Sequence, residues 1–290
     1  MGNMPKKAFE KIFQLAFKYP WLKPKTTALG TLLFEDCETE EQAQLIIDIL
    51  DNLRHITIQE YNDGISNLAL DIATCGVEPE LTFITAMSAD STADSGQSVL
   101  YDLKGELSKL EWTGYRSVNR YDQTPKAYKE FRKTKGDQSI TIILVDNFVG
   151  TGGTVINRVK RIKELFSESN LPIPNVLVKV LISSKTGDEN VKNNNIDFSC
   201  SYVVLDNILE KIYDQNQVEN KKDMMRTIEG KLSQSHNYRA LPSLGYGELQ
   251  VALSIESKNT PNNVFPIFWW KYYSNYTVRD VLLHRAMDDA

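Results

Sequence analysis

The stretch "IILVDNFVGTGGT", residues 142–154, constrains this chain more than any other. An unbroken apolar run reads as a strand buried on both faces. It turns acidic at Asp146, next to Asn147, and then becomes small and hydroxylated over Gly150, Thr151, Gly152, Gly153 and Thr154 before a helical pattern begins. Glycines let a backbone approach a ligand closely. Amides at a helix N-terminus point outward, and the helix dipole favours an anion there. A phosphate cradle is the physical content of such a turn, and two threonine hydroxyls add donors to it.

The rest of the chain places that turn in an alternating pattern. Residues 81–86, 140–145, 175–183 and 202–206 read as strands, separated by helices such as "SVLYDLKGEL" and "TVINRVKRIKELF". Strands alternating with helices imply parallel βαβ units, hence an open, mainly parallel α/β sheet flanked by helices. The first part of the chain reads as helical. "KKAFEKIFQLAFKY" (6–19) carries Phe9, Phe13, Leu15 and Phe17 near helical spacing. "TEEQAQLIIDILDNLRH" opens with Thr39 and Gln42 as a capping box and presents Ala43, Ile46, Ile47 and Leu50 on one face. A third helix runs through Leu68 to Ala73. After the sheet, residues from Asn207 to Leu232 read as a long polar helical excursion, and "VFPIFWWKYY" reads as an aromatic segment packing back. The expected division is a helical region over 1–78, the α/β core over 79–206, and a helical excursion with a C-terminal hood over 207–290.

Composition excludes several classes. The net charge of −5 gives no global basic field for nucleic acid or anionic membrane. Basic residues cluster only locally, over 116–136. Cys37, Cys75 and Cys200 are widely spaced with no CxxC pair. Three histidines, His55, His236 and His284, form no metal motif and receive no catalytic role. No apolar run approaches a membrane span, and no signal-peptide pattern opens the chain, so the expected location is cytoplasmic. The glycine turn is not a Walker loop, since no GK[ST] follows. Nor is it a dinucleotide fingerprint, since its acid precedes the glycines. A carboxylate ahead of a phosphate cradle suits a ribose 5-phosphate.

The order and spacing of this stretch resemble the PRPP-binding motif of type I phosphoribosyltransferases. The resemblance implies that family's fold, PRPP or a related ribose phosphate as ligand, and Mg²⁺ held mostly through the ligand, with Asp146 as its protein contact. It implies further that Asp146 and Asn147 occupy the catalytic acidic pair and that Gly150 to Thr154 hold the 5-phosphate. Residues 86–98 then suit a pyrophosphate loop, with Ser88, Ala89, Asp90, Ser91 and Thr92 as its members. The basic stretch suits a flexible loop, with Arg116, Arg120, Lys126 and Lys129 as candidates. Asn147 departs from the family pattern: an amide adds no charge and takes no proton. The pyrophosphate loop also departs, carrying Asp90 and Asp94 but no Lys or Arg.

A narrower resemblance lies in "ALSIESKNTPNNVFPIFWW" (252–270), which is similar to the tail of phosphoribosyltransferase-like proteins of bacterial antiphage systems, some beside retron reverse transcriptases. It implies a hood, with Glu256, Asn259 and Asn262 as candidates and Phe268 and Trp269 as an aromatic wall. It also implies protein partners in a defence complex, such as a reverse transcriptase with its nucleic acid. Homo-oligomerisation is a further expectation; direct nucleic-acid binding is not. Two functions stay open at this stage: an enzyme transferring or removing ribosyl phosphate with pyrophosphate release, and a ligand-binding sensor or subunit without turnover.

Overall fold

The computed structural model describes residues 6–88 and 94–287. The chain divides into two compact units: Met1–Ile56 with Asp206–Ala290, and Thr57–Leu205. The helix expected at the end of the N-terminal region therefore belongs with the sheet rather than with the segments before it, and the boundary falls near residue 57 instead of 78.

In the first unit, α1 (Lys6–Lys18), α2 (Thr26–Thr31) and α3 (Glu40–Asn52) precede a short strand β1 (Arg54–Ile56). The apolar face of α1 differs from expectation. Ile12, Leu15 and Ala16 are buried, while Phe9, Phe13 and Phe17 stand exposed. Apolar residues occupy more than half of that helix's circumference, and only one face packs inward. At α3 the Thr39 hydroxyl accepts from Gln42 N, as expected, but the Gln42 side chain turns to Glu38 N, so the reciprocal half of the box is displaced by one residue.

The second unit holds α4 (Ile58–Thr74), β2 (Thr82–Ala86), α5 (Ser95–Lys109), β3 (Arg116–Val118), α6 (Thr124–Lys135), β4 (Thr141–Val149), α7 (Gly153–Glu168), β5 (Asn175–Ser184), α8 (Lys185–Asn193) and β6 (Asp197–Leu205). Its five strands form one parallel sheet in the order β3-β2-β4-β5-β6. The chain steps from β2 outward to β3, returns past β2 to β4, and then continues to β5 and β6. With right-handed crossovers this reversal puts α5 on one face and α6, α7 and α8 on the other. The core agrees. Tyr128 and Phe131 of α6, Val155, Val159, Ile162 and Phe166 of α7, and Val191 of α8 pack with Ile142, Leu144, Val178 and Val180. The opposite face receives α4, whose Gly64 sits against Leu181 and Tyr202. On that face the buried Lys179 pairs with Asp71 of α4 at 2.9 Å, and Ser199 and Ser201 hydroxyls donate to the same carboxylate.

The stretch 116–136, expected as a flexible basic loop, is an ordered edge strand, a 3-10 turn and a helix. Tyr128 and Phe131 anchor it in the core at 0% and 1% exposure, and buried Pro125 in the first turn of α6 starts the helix.

The first unit resumes with α9 (Ile208–Ile212) and α10 (Gln215–Glu229), so the helical excursion is broken at Tyr213 and Asp214. A small hairpin, β7 (Ser235–His236) and β8 (Arg239–Ala240), follows, and β9 (Leu253–Ile255) pairs in parallel with β1. Val264, Phe265, Ile267, Phe268, Trp269 and Trp270 are buried. Arg279 forms an ion pair with Asp36, both about 1% exposed, and Tyr273 donates to the same carboxylate at 2.8 Å. Arg279→Met should cost about 3–5 kcal/mol in denaturant unfolding, because it strands a buried charge.

Glu229 gives this unit a pH signature. Burial pushes its carboxyl up to about 7, against the opposing bonds from Ser243 and Leu244 N and the charge of Arg226. The folded chain therefore keeps a proton that the unfolded chain releases near 4.5. Stability falls as pH rises between these values, by about 1.4 kcal/mol per unit at most, and levels off above. Melting curves of Glu229→Gln should lose this slope relative to the parent chain; an identical slope in both would refute the assignment.

Among the described residues no helix is long and apolar enough to cross a membrane.

Candidate functional site

The reversal of strand order defines a crevice. The chain after β2 leads to α5 on one face, while the turn after β4 leads to α7 on the other. Ligands of open α/β sheets bind at that switch point, beyond the carboxyl ends of the strands. β2 and β4 are direct neighbours, with Ala86 level with Val145. Asp146 lies one residue beyond that level.

Asp146 is held on the inner side of the crevice. Its Oδ1 accepts from the Ser95 hydroxyl at 2.8 Å and from Asn147 N at 2.7 Å. Burial pushes its carboxyl up to about 6, hydrogen bonds from Ser95, Asn147 N and Phe148 N pull it down, and the neighbouring charge of Asp94 adds to the rise. Asp94 caps α5, accepting from Gln97 N at 3.0 Å. Gly96 makes this approach feasible, since a Cβ there would sit 3.2 Å from the Val145 carbonyl and 3.3 Å from Ala86 Cβ.

β4 continues as strand to Val149, past the acid, so the turn begins later than expected. Asp146 is paired with Val180 and its carboxylate meets Ser95 of α5, while Asn147, the next residue, is 7% exposed.

Gly150 to Thr154 form the turn that leads into α7. Gly152 has φ +81° and caps α7 without a side-chain bond, and no acidic residue occupies the helix's first turn. The first amides of a helix have no intrahelical partner. The turn's carbonyls are tied from behind: Ser184 Oγ donates to Gly150 O at 2.7 Å, and Asn190 Nδ2 donates to Thr151 O at 2.8 Å. Gly187 packs so closely that a Cβ would overlap the Gly150 carbonyl. Ser95, Ser184, Gly187 and Asn190 were not anticipated from sequence, because each acts through a tertiary approach.

Of the pyrophosphate-loop candidates, Ser88 is buried and its hydroxyl accepts from Gln97 Nε2 at 3.4 Å. Ala89, Asp90, Ser91 and Thr92 lie outside the described residues. Arg116 is level with Phe83, well behind the carboxyl edge, and its guanidinium stands 5.2 Å from the Phe131 ring. Lys126 and Lys129 are exposed on α6. Arg120 follows the end of β3, beyond the edge, and is paired with Asp122 at 2.5 Å. Glu256, Asn259 and Asn262 belong to the other unit. There Asn259 Oδ1 accepts from Ala286 N and Asn262 O from Tyr246 N, both at 2.8 Å, while Glu256 N donates to Ile56 O. Phe268 and Trp269 are core residues, with 0% and 2% exposure, rather than a wall open to a ligand.

Among the described residues no group of three or more His, Cys, Asp or Glu converges on a metal position. Asp146 and Asp94 nevertheless supply hard oxygens of the kind that one or two protein contacts to Mg²⁺ require, the remaining ligands being substrate phosphates and water.

A parallel α/β unit with an acid and a glycine-rich turn at its switch point has the architecture of a phosphoribosyltransferase-like protein. The model of the PRTase-CE family matches residues 33–278, and the chain belongs to that family. No curated protein matches the chain. Several solved structures resemble it distantly. Hypoxanthine-guanine phosphoribosyltransferase from Schistosoma mansoni in complex with IMP is 14% identical, with a TM-score of 0.33, over 52% of this chain and 66% of that one. A hypothetical protein from Neisseria gonorrhoeae with bound ppGpp is 14% identical, with a TM-score of 0.36, over 53% and 84%. Orotate phosphoribosyltransferase from Aeropyrum pernix is 16% identical, with a TM-score of 0.30, over 53% and 76%.

Proposed function

We propose that this protein binds PRPP or a related ribose phosphate with Mg²⁺, and transfers or removes the ribosyl phosphate with release of pyrophosphate. The carrying observation is the juxtaposition of Asp146 with a turn whose carbonyls are bound from behind and whose helix lacks any capping side chain. The amides of Gly152, Gly153 and Thr154, with the Thr151 and Thr154 hydroxyls, take the 5-phosphate. Asp146 takes the ribose hydroxyls, and its fixed negative charge stabilises the positive charge that grows at C1 as pyrophosphate leaves. Asp146 and Asp94 are the protein groups that would hold Mg²⁺, which when bound neutralises charge on the departing pyrophosphate.

Asn147 favours a second reading, a sensor or subunit that keeps the pocket without turnover. Its amide carries no charge and takes no proton. Incubation with PRPP and Mg²⁺, with and without nucleobases, followed by ³¹P NMR, separates the two. Pyrophosphate release establishes the enzyme. Tight PRPP binding by calorimetry with no release establishes the sensor, and no binding removes both. A role in antiphage defence, with a reverse transcriptase and its nucleic acid as partner, extends the proposal on the resemblance of the tail alone.

The pH dependence of binding follows from Asp146. Its carboxyl titrates near 6, so the anionic form that attracts Mg²⁺ disappears below that value. Affinity for Mg·PRPP should fall about tenfold per pH unit below 6. The phosphates of the ligand titrate in the same range, so the informative quantity is the difference from Asp146→Asn. Parallel curves for the two proteins would remove Asp146 from the site.

A further inference from the structure

Lys25 is half-buried at the end of the 3-10 turn Pro20–Lys25 in the first unit. Its ammonium donates to Leu282 O at 2.6 Å and stands 5.1 Å from the centre of the Trp21 ring. Burial holds it below the ordinary lysine value, and no carboxylate pairs with it among the described residues. A neutral donor such as glutamine could make the same bond to Leu282 without carrying a charge into an environment that disfavours it. The positive charge therefore calls for another partner.

Two more cations come to the same place. Leu283 N donates to Phe268 O at 2.8 Å, so the segment after Leu282 runs beside the one that carries Lys271. His284 follows, with its carbonyl accepting from Thr260 N at 3.0 Å. Its imidazole is held below the ordinary 6.5, first by partial burial of the ring and then by the charges of Lys25 and Lys271. His284 is exposed and Lys271 half-buried, and neither forms an ion pair among the described residues. Three groups of one sign thus gather without a paired acid, and each disfavours the charge of the others. An anion placed among them reverses that balance.

We propose that Lys25, Lys271 and His284 form an anion site for a phosphate-bearing ligand, a function beyond the ribose-phosphate reading of the turn Gly150–Thr154. Two ammonium groups and an imidazole match a doubly charged group better than a single carboxylate. A phosphate monoester carries about −1.5 to −2 at neutral pH and offers three acceptor oxygens. After its bond to Leu282, Lys25 keeps two of its three N–H donors. The protonated imidazole is the form that an anion favours, so occupation of the site draws the titration of His284 upward.

The test follows His284 by NMR, with inorganic phosphate as the probe and chloride at the same ionic strength as the reference. The chain has three histidines, and His284→Gln identifies the signal. In chloride the imidazole should titrate below 6.5. Phosphate should raise that midpoint by about one pH unit. His236, which stacks on Tyr272, should not move. Lys271→Met should raise the midpoint in chloride, since one like charge is gone, and should cut the phosphate response to less than about half. Lys25→Met should do the same. Equal midpoints in phosphate and chloride overturn the proposal, and so does an undiminished phosphate response in Lys271→Met. If Lys25→Met does not fold, Lys271→Met decides, because no side-chain hydrogen bond or ion pair of Lys271 supports the fold among the described residues. A chain that binds PRPP but shows no response at His284 loses this site and keeps the ribose-phosphate reading; the opposite result keeps this site and removes that reading.

Discussion

Asp146→Asn should weaken PRPP binding about a hundredfold, about 3 kcal/mol, while leaving the fold at least as stable as before. The affinity loss follows from replacing a charged acceptor of two sugar hydroxyls by a neutral amide, since hydrogen bonds to charged groups contribute about 1.5–3 kcal/mol each. The stability follows from the opposite side of the same environment. Burial lifts the Asp146 carboxyl to about 6, so the folded state at neutral pH carries a charge that its surroundings oppose. An isosteric amide relieves that cost and still presents an oxygen to Ser95 and to Asn147 N. Calorimetry and thermal melts together provide the check. Lost binding accompanied by a lowered melting point would mean a damaged fold rather than a missing contact, and retained binding would exclude the carboxylate from the site.

Gly187→Ala should abolish ligand binding from outside the turn it affects. The alanine Cβ would overlap the carbonyl oxygen of Gly150, a backbone atom that cannot swing aside. Either the turn shifts, taking its amides out of register with a phosphate, or α8 moves away and loosens the packing around Val191, which is fully buried. Both routes cost about 3 kcal/mol of stability, the upper part of the range for overpacking. Gly105→Ala is the control: a Cβ there meets nothing within 4 Å, and helix propensity favours the change by up to about 1 kcal/mol. If Gly187→Ala binds PRPP and melts like the control, the bracing of the turn from α8 is wrong.

What could be read in advance follows from how local each signal is. β2, β4 and β5 are continuous apolar runs, and a parallel sheet buried on both faces leaves that mark along the chain itself. β3 is "RSV", three residues with two exposed, and only its pairing with Phe83 to Thr85 makes it a strand. α6 looked like a mobile basic loop because its lysines dominate the composition. Thr124-Pro125 followed by Tyr128 and Phe131 at i, i+3 is the local signal for an ordered helix, and the lysines between them mask it. At the site, Asp146 and the glycine turn are contiguous and so were legible. Ser95, Ser184 and Asn190 act across 51, 34 and 39 residues respectively, and no periodicity carries such distances. The extent of β4 was not legible for a simpler reason: it runs on through Asp146 to Val149, where the apolar run alone would end it.

The parallel pairing of β1 with β9 has a consequence for synthesis. Arg54–Ile56 waits for Leu253–Ile255, and α3 packs on α9 and α10, all made after residue 205. The unit Thr57–Leu205 has no such dependence, since its five strands come from its own span. On the ribosome the sheet of this unit can close first, while Arg54–Ile56 remains unpaired until Leu253–Ile255 has emerged. The discontinuous unit is then completed after the sheet that is inserted into it, although part of it is translated earlier.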